Sequence, residues 1–232
     1  MIYVHPRVFT NMNQKRATPY FVYAVLLASV TLIALMLSMS QDQAETAFEA
    51  FGVIPSRIRA GSGLHALLTY MFLHSGIVHF ALNAFSLLQA GIPLERSIGS
   101  VRFGALYVSS GVVAAIVHCL VFPDSSVPLV GASGAIFGAI AVLCLLMPFK
   151  TTFLLFIPLP AVLVGVLTGV VEVYSAIHSL DPSIAHFAHL GGFVFGVVVA
   201  FAIDFRRALK GFAVSTIVFA ALYVISRWLV VS

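Results

Sequence analysis

Long apolar runs separated by short polar segments dominate the pattern along this chain. A helix that crosses the hydrocarbon core of a bilayer needs about 20 mostly apolar residues, with a range of roughly 17 to 25. Runs of this kind occur near 20–39, 75–93, 102–121, 133–148, 159–178 and 186–204, and a seventh, from about 212 to 231, is broken only by Arg227. The pattern therefore predicts an all-α polytopic membrane protein with a six-helix core and a seventh C-terminal transmembrane helix.

The segments between these runs suggest how the chain is organised. Residues 1–19 form a polar arm, residues 20–205 the six-span core, and residues 206–232 a basic linker followed by the seventh span. Within the core, residues 40–74 carry several charges and end in "GLHALLTYMFLH". This stretch has too many polar residues for a transmembrane helix and is too apolar for a solvent-exposed loop. We expect an embedded or interfacial loop there. Pro158 and Pro160 mark the start of the fifth span or a kink in it.

Composition supports a membrane protein. Of the 232 residues, 61% are hydrophobic and only 9% are charged, whereas a soluble domain carries about a quarter charged residues. The net charge of +4 comes from scattered Lys and Arg residues, so a nucleic-acid partner is not expected. Cys119 and Cys144 lie in apolar runs and are expected to be reduced core residues. The N-terminal arm lacks the apolar region of a cleavable signal peptide.

The distribution of basic residues predicts the orientation. With the N-terminus in the cytoplasm, three basic residues fall outside, namely Arg57, Arg59 and Arg227. Nine fall inside: Arg7, Lys15, Arg16, Arg96, Arg102, Lys150, Arg206, Arg207 and Lys210. This arrangement satisfies the positive-inside rule, and the opposite one does not. It places the start of the fourth span at the outer face, and a bacterial inner membrane is the simplest location.

Polar and small residues within the spans mark three helix faces. In the second span, His79, Asn83 and Ser86 share one face because they are four and three residues apart. In the sixth span His189 shares a face with Gly192 and Gly196, and in the fourth span Gly134 and Gly138 form a similar face. Small residues allow two membrane helices to approach closely. We therefore expect the fourth and sixth spans to be neighbours, although His79, Asn83 or His189 alone could be interhelical packing residues.

Ser133 lies between Gly131 and Gly134 at the first turn of the fourth span. It could cap that helix, since serine is a preferred N-cap. It could also be a nucleophile, if His189 lies within hydrogen-bond reach as a general base. The free N–H groups and the dipole of the helix start would stabilise an anion there, and His79 with Asn83 could donate to the same oxyanion.

The motifs "HFALN" at 79–83, "GASG" at 131–134 and "AHLGGFVFG" at 188–196 occur in this order in the second, fourth and sixth spans. Together with "PLERSIGS" after the second span, they resemble the rhomboid intramembrane serine proteases over about residues 64–205. The resemblance implies that Ser133 is the nucleophile and His189 the general base. It also implies an oxyanion hole made by His79, Asn83 and the Ser133 backbone N–H.

The same resemblance implies a Ser–His dyad without a carboxylate or a cofactor. Consistent with this, no Asp or Glu is obviously placed to orient His189, and Asp181 lies eight residues earlier in a loop. Phe137 replaces a tyrosine that packs on the catalytic histidine in some members, and we expect the ring to keep that role. Glu172, in the fifth span, is expected to be an interfacial or bundle-facing carboxylate. Its span is often treated as a lateral gate in the family.

The implied substrates are membrane proteins cut within or beside a transmembrane helix, with small residues favoured at the cleavage point. The main alternative is a non-proteolytic rhomboid-like membrane binding or quality-control protein, which would lack the dyad. A metal site is not expected, because no His-Glu-x-x-His motif occurs and no acidic ligand accompanies His186 and His189 in the sequence. A transporter would need paired charges or broken helices near the midplane, whereas this polar cluster lies toward one side. A thiol protease at Cys144 would need a histidine at its depth. The sequence does not predict an oligomeric state.

Overall fold

The structure is a computed structural model that describes residues 17–178 and 185–231. Over these residues the chain forms ten helices, a short 3-10 turn at Tyr70–Phe72 and one β-hairpin. The elements are α1 (Tyr20–Leu37), α2 (Gln41–Phe51), α3 (Pro55–Arg59), α4 (Ala66–Thr69), α5 (Ile77–Ile98), α6 (Ser100–Val121), α7 (Ser133–Leu146), β1 (Thr151–Leu154), β2 (Ile157–Pro160), α8 (Ala161–His178), α9 (His186–Ile203) and α10 (Phe205–Val231).

Seven of these helices correspond to the seven predicted spans, which confirms the all-α polytopic fold. Six of them, α1, α5, α6, α8, α9 and α10, are long and apolar enough to cross a membrane, and α7 is a shorter apolar helix of 14 residues. Arg227 does not interrupt α10, which runs on to Val231. The predicted cytoplasmic residues Arg7, Lys15 and Arg16, and the loop residue Asp181, lie outside the described residues.

The short helix α7 lies at the centre of the bundle and contacts α5, α6, α8, α9 and α10. Its closest neighbour is α9, and the glycines predicted to face each other do so. A Cβ atom added to Gly192 would overlap the carbonyl oxygen of Gly134, and one added to Gly196 would overlap that of Gly138. Glycine is therefore required at both positions of α9, and this close packing sets the distance between the first turns of the two helices.

The segment at 40–74 is more ordered than the predicted loop. It contains α2, α3, α4 and the 3-10 turn, and α2 begins with a capping box between Ser40 and Gln43. Val53 pairs with Leu129 across an isolated β-bridge, and Tyr70 and Met71 are fully buried. The segment thus packs against the helix bundle beside the loop that leads into α7.

The "PLERSIGS" motif joins α1 to α5. The Glu95 side chain is buried, and its two carboxylate oxygens accept hydrogen bonds from the backbone N–H groups of Phe21 and Val22, at 2.8 and 2.9 Å. These groups belong to the first turn of α1, where N–H groups have no intrahelical acceptor. Arg96 donates to the carbonyl oxygen of Ala17 at 3.3 Å. The motif therefore stabilises the start of the first span.

The antiparallel hairpin β1–β2 was not predicted from the sequence. It connects α7 to α8, and Phe153 and Phe156 pack against Phe85 of α5 with ring centroids 6.0 and 5.5 Å apart. Pro160 ends the hairpin directly before α8, so the prolines mark the start of this span and do not kink it.

Candidate active site

The loop before α7 holds Ser133 at the first position of the helix. Ala132 is the N-cap residue and no side chain caps this helix, so Ser133 does not have the capping role considered as one possibility. Gly131 has a φ of +119°, which disfavours any residue with a side chain, and its N–H donates to the carbonyl oxygen of Tyr70 at 3.0 Å. Ser133 is half-buried, and the N–H groups of its turn have no intrahelical acceptor.

The Ser133 hydroxyl lies against His189, in the first turn of α9. The Ser133 Oγ atom is 2.7 Å from His189 Nε2, which is hydrogen-bond distance. The predicted meeting of these two side chains across the glycine faces is therefore present. An imidazole nitrogen at this distance can accept the hydroxyl proton as the oxygen attacks a carbonyl carbon.

Phe137, one turn after Ser133, lies flat against the His189 ring. The two ring centroids are 4.5 Å apart and the planes differ by 7°. The structure thus shows the packing that the resemblance implied for Phe137. Stacking fixes the plane of the imidazole. It does not fix which ring edge faces Ser133, because a half-turn about the Cβ–Cγ bond leaves the plane unchanged.

A carboxylate contacts the other edge of His189, which the sequence did not predict. The Glu172 Oε1 atom lies 3.1 Å from His189 Nδ1, and Oε2 lies 2.6 Å from His186 Nδ1. Glu172 is on α8 and is only 8% exposed. The expectation that no acidic residue lies where it could orient His189 is therefore wrong. It failed because the sequence separates Glu172 from His189 by 17 residues, across two different helices.

The statement that no acidic ligand accompanies His186 and His189 is also wrong. One nitrogen of each histidine and a Glu172 oxygen all lie within 4.8 Å of one another, which makes the three residues a set that could hold a metal ion. In the structure the Nδ1 atom of each histidine is hydrogen-bonded to a different oxygen of Glu172. The useful sequence signal was a single carboxylate within an apolar span, because a charge in that position needs a partner.

His79, in the first turn of α5, approaches the loop before α7. A Cβ atom on Gly131 would lie 2.8 Å from His79 Nε2 and 3.9 Å from Ser133 Oγ. The Nδ1 atom of His79 is 3.0 Å from the hydroxyl of Ser75 and accepts from its backbone N–H at 3.4 Å. An N–H group can only donate, so this contact favours the tautomer with the proton on Nε2, facing the site.

Asn83 lies one turn further along the same face of α5. Its side chain is buried, and its Nδ2 group donates to the carbonyl oxygen of His79 at 2.9 Å. Since an amide nitrogen carries two protons, one N–H remains available for another acceptor. Asn83 also lines a small cavity with Ala132, the residue that precedes Ser133. Its place in the structure is consistent with the predicted oxyanion role but does not test it.

His74 extends this cluster from the segment before α5. It packs edge to face on His79 with ring centroids 5.2 Å apart, and both of its ring nitrogens are buried without a hydrogen-bond partner among the described residues. Burial, assisted by the nearby His79, lowers the pKa of His74 to about 4. His74 is therefore neutral at neutral pH and adds no positive charge beside His79.

The supporting glycines have the positions that close approach requires. Gly134, Gly192 and Gly196 lie where α7 and α9 touch, and Gly131 lies beside the His79 ring. The first turns of α7 and α9, the first two turns of α5 and the second half of α8 thus bring serine, histidine, asparagine and glutamate side chains to one end of the bundle.

Comparisons with known proteins identify the family of this chain. Residues 61–205 match the family model of the rhomboid domain. RHOMBOID-like protein 7 of Arabidopsis thaliana is 36% identical over 136 residues, which cover 58% of this chain and 41% of that protein. Rhomboid protease GluP of Bacillus subtilis (strain 168) is 30% identical over 192 residues, which cover 82% of this chain and 36% of that protein.

The chain spans about two fifths of the length of these relatives. The matched domain nevertheless includes α5 to α9 and every residue of the cluster around Ser133. Because the family model matches more than half of the chain, this protein belongs to the rhomboid family of integral multi-pass membrane proteins.

Proposed function

We propose that this protein is an intramembrane serine endopeptidase that cleaves transmembrane segments of other membrane proteins. Ser133 is the nucleophile, His189 the general base, and His79, Asn83 and the Ser133 backbone N–H form the oxyanion hole. The observation that carries the proposal is the 2.7 Å contact between Ser133 Oγ and His189 Nε2 at the start of α7. The similarity to a rhomboid protease over 82% of the chain supports it.

Acylation begins when Ser133 Oγ attacks the carbonyl carbon of the scissile peptide bond and its proton passes to His189 Nε2. The carbonyl oxygen gains a negative charge, which the three N–H donors and the positive end of the α7 dipole stabilise. When the intermediate collapses, the C–N bond breaks and His189 gives its proton to the leaving amine. The N-terminal part of the substrate remains as an ester on Ser133.

Deacylation reverses these roles. His189 takes a proton from a water molecule as the water oxygen attacks the ester carbonyl, and the same donors stabilise the second oxyanion. The proton then returns to Ser133 as the ester bond breaks and the carboxylic acid product leaves. No cofactor takes part in either half of the reaction.

The substrates follow from the position of the site within the bundle. A peptide bond in a transmembrane helix is shielded by its own hydrogen bonds, so a substrate must unwind locally before Ser133 can attack it. Segments with residues that destabilise a helix are therefore preferred, and the family resemblance implies small side chains at the cleavage point. Substrates reach the site laterally from the lipid bilayer beside α8, and nucleic acid has no role.

The distribution of basic residues supports an orientation with the site toward the outer face of a bacterial inner membrane. Arg59 pairs with Asp124 in the loop between α6 and α7, at the same end of the bundle as Ser133. Arg96, Arg102, Lys150 and Arg206 lie toward the opposite end, at the termini of α5, α6, α7 and α10.

A non-proteolytic rhomboid-like binding protein is the alternative function. It would not need a serine and a histidine in hydrogen-bond contact, and the retention of both in one geometry favours the protease.

The proposal is tested with the purified protein in liposomes that contain a single-pass membrane protein substrate. We expect cleavage at one site near the outer end of the transmembrane segment, which gives two fragments, and a loss of roughly 10³-fold or more in rate for Ser133→Ala or His189→Ala. Cleavage at the wild-type rate by Ser133→Ala would exclude the serine mechanism.

A further inference from the structure

We propose that Glu172 is a positioning residue that holds His189 in the tautomer and ring orientation needed by Ser133, with His186 anchoring the same carboxylate. This inference rests on the proposed function, because it concerns how the general base is oriented. It adds a third member to a site for which the family resemblance implied a dyad.

Two consecutive contacts link Glu172, His189 and Ser133. Glu172 Oε1 lies 3.1 Å from His189 Nδ1, and His189 Nε2 lies 2.7 Å from Ser133 Oγ. The two nitrogens of one imidazole are therefore both engaged, one by a carboxylate and one by the hydroxyl.

The carboxylate selects the tautomer of His189. An ionised carboxylate has only acceptor atoms, so a hydrogen bond between Glu172 and His189 requires the proton to be on Nδ1. The neutral ring then has its lone pair on Nε2, facing the Ser133 hydroxyl. This is the state in which His189 can accept a proton from serine.

The carboxylate also selects one of two ring orientations. Stacking on Phe137 fixes the imidazole plane, yet a half-turn of the ring about its Cβ–Cγ bond would keep that plane and point carbon atoms at Ser133 and Glu172. Only the observed orientation forms both hydrogen bonds. Phe137 and Glu172 therefore restrict different motions of the same side chain.

His186 explains how the carboxylate can be kept in place. Glu172 is 8% exposed and lies in a membrane-spanning helix, where an unpaired charge is costly. Its second oxygen, Oε2, lies 2.6 Å from His186 Nδ1, one turn before His189 on α9. Each oxygen of Glu172 thus has its own imidazole partner. When His189 becomes positively charged during the reaction, the adjacent carboxylate stabilises that charge.

The test compares steady-state cleavage by wild type, Glu172→Gln and Glu172→Asp in the same liposomes. Glutamine keeps the shape but has one acceptor oxygen for two histidines and no charge. We expect kcat to fall about tenfold or more with KM within about twofold. Aspartate keeps the charge and both oxygens, so its kcat should exceed that of Glu172→Gln. Glu45→Gln, which removes an exposed carboxylate on α2, is the matched control and should keep the wild-type kcat.

A double variant separates positioning from packing. In Glu172→Gln the two histidines compete for one acceptor oxygen, so adding His186→Phe leaves that oxygen to His189. We expect the double variant to recover part of the kcat lost in Glu172→Gln. If Glu172 has only a packing role, the losses in kcat caused by Glu172→Gln and by His186→Phe should add in the double variant.

The outcomes separate this inference from the proposed function. If wild type shows no Ser133-dependent cleavage, both fail together. If cleavage depends on Ser133 but Glu172→Gln keeps the wild-type kcat, or the double variant is no faster than Glu172→Gln, the positioning role is overturned. Loss of wild-type activity on chelation and its return with Zn²⁺ would assign the three side chains to a metal, and would overturn it as well.

Discussion

At the scale of single residues, the site depends on a few specific side-chain contacts, two of which join different helices. Ser133 contacts His189, His189 contacts Glu172, and Asn83 contacts the backbone of His79. Because the partners lie on α7, α9, α8 and α5, a single substitution can change the chemistry without changing any one helix.

Asn83→Ala tests the oxyanion hole. The variant removes an N–H donor that we place near the developing negative charge, and we expect kcat to fall about 10²-fold with little change in KM. The measurement is steady-state cleavage in liposomes, with thermal unfolding to show that the fold is intact.

Ser86→Ala serves as the control, since Ser86 shares this face of α5 but lies nearly two turns beyond His79. It should retain wild-type turnover. Equal turnover in Asn83→Ala and wild type would remove Asn83 from the oxyanion role.

The sequence predicted that Ser133 and His189 could meet because the fourth and sixth spans each have a glycine face, glycine faces pack together, and both residues lie at the outer ends of these spans. It could not predict the partner of Glu172. Which face of α8 packs against α9 depends on tertiary packing. The periodicity of one span does not predict how the neighbouring helix is rotated about its own axis. The capping role considered for Ser133 failed for a local reason, because the helix begins with Ala132 as the N-cap.

At the scale of elements, the contact between α7 and α9 determines the geometry of the site. Gly192 lies so close to α7 that a methyl group would overlap the carbonyl oxygen of Gly134, which is backbone and cannot rotate away. Any side chain at Gly192 must therefore push the two helices apart.

Gly192→Ala should destabilise the protein by about 1–3 kcal/mol, as overpacking does in a close-packed core. It should also slow cleavage, because Ser133 and His189 move apart with their helices. Thermal unfolding in detergent measures the first effect and the cleavage assay the second.

Gly169→Ala on α8 is the matched control. The nearest atoms to an added Cβ atom there are on the Phe193 ring, at 3.6 Å, which is an ordinary contact. An unfolding temperature for Gly192→Ala equal to that of Gly169→Ala would contradict the packing argument.

The helices themselves were largely predictable from apolar runs, since a span must satisfy its backbone hydrogen bonds internally and is therefore long and helical. The hairpin at 151–160 was not, because "TTFLLFIPLP" is a short apolar run that fits the end of a span equally well. Its prolines alternate along β2, and this was the only local hint of extended backbone.

At the scale of the whole molecule, all the reactive side chains lie at one end of the bundle. The helices α5, α7 and α9 begin at this end and α8 ends there. Because successive helices run in alternating directions, one terminus of each of these four helices lies near the cluster. The family assignment and the helix count follow from the sequence pattern, whereas which end faces outward is a proposal based on charge.

The orientation is tested with single-cysteine variants in bacterial spheroplasts, with Cys119 and Cys144 replaced by alanine. A membrane-impermeant maleimide should label Ser126→Cys, in the exposed loop before α7, in intact spheroplasts. Thr151→Cys, at the start of the hairpin at the opposite end, should be labelled only after lysis. The reverse pattern would contradict the orientation.

The most direct measurement of the central claim is labelling by a fluorophosphonate, which reacts with an activated serine hydroxyl and needs no knowledge of the substrate. The account predicts that the protein in detergent or liposomes is labelled once, that Ser133→Ala abolishes the label, and that His189→Ala slows labelling strongly. Absence of labelling in a folded wild-type protein, or labelling that persists in Ser133→Ala, would contradict the claim that Ser133 and His189 form a serine protease site.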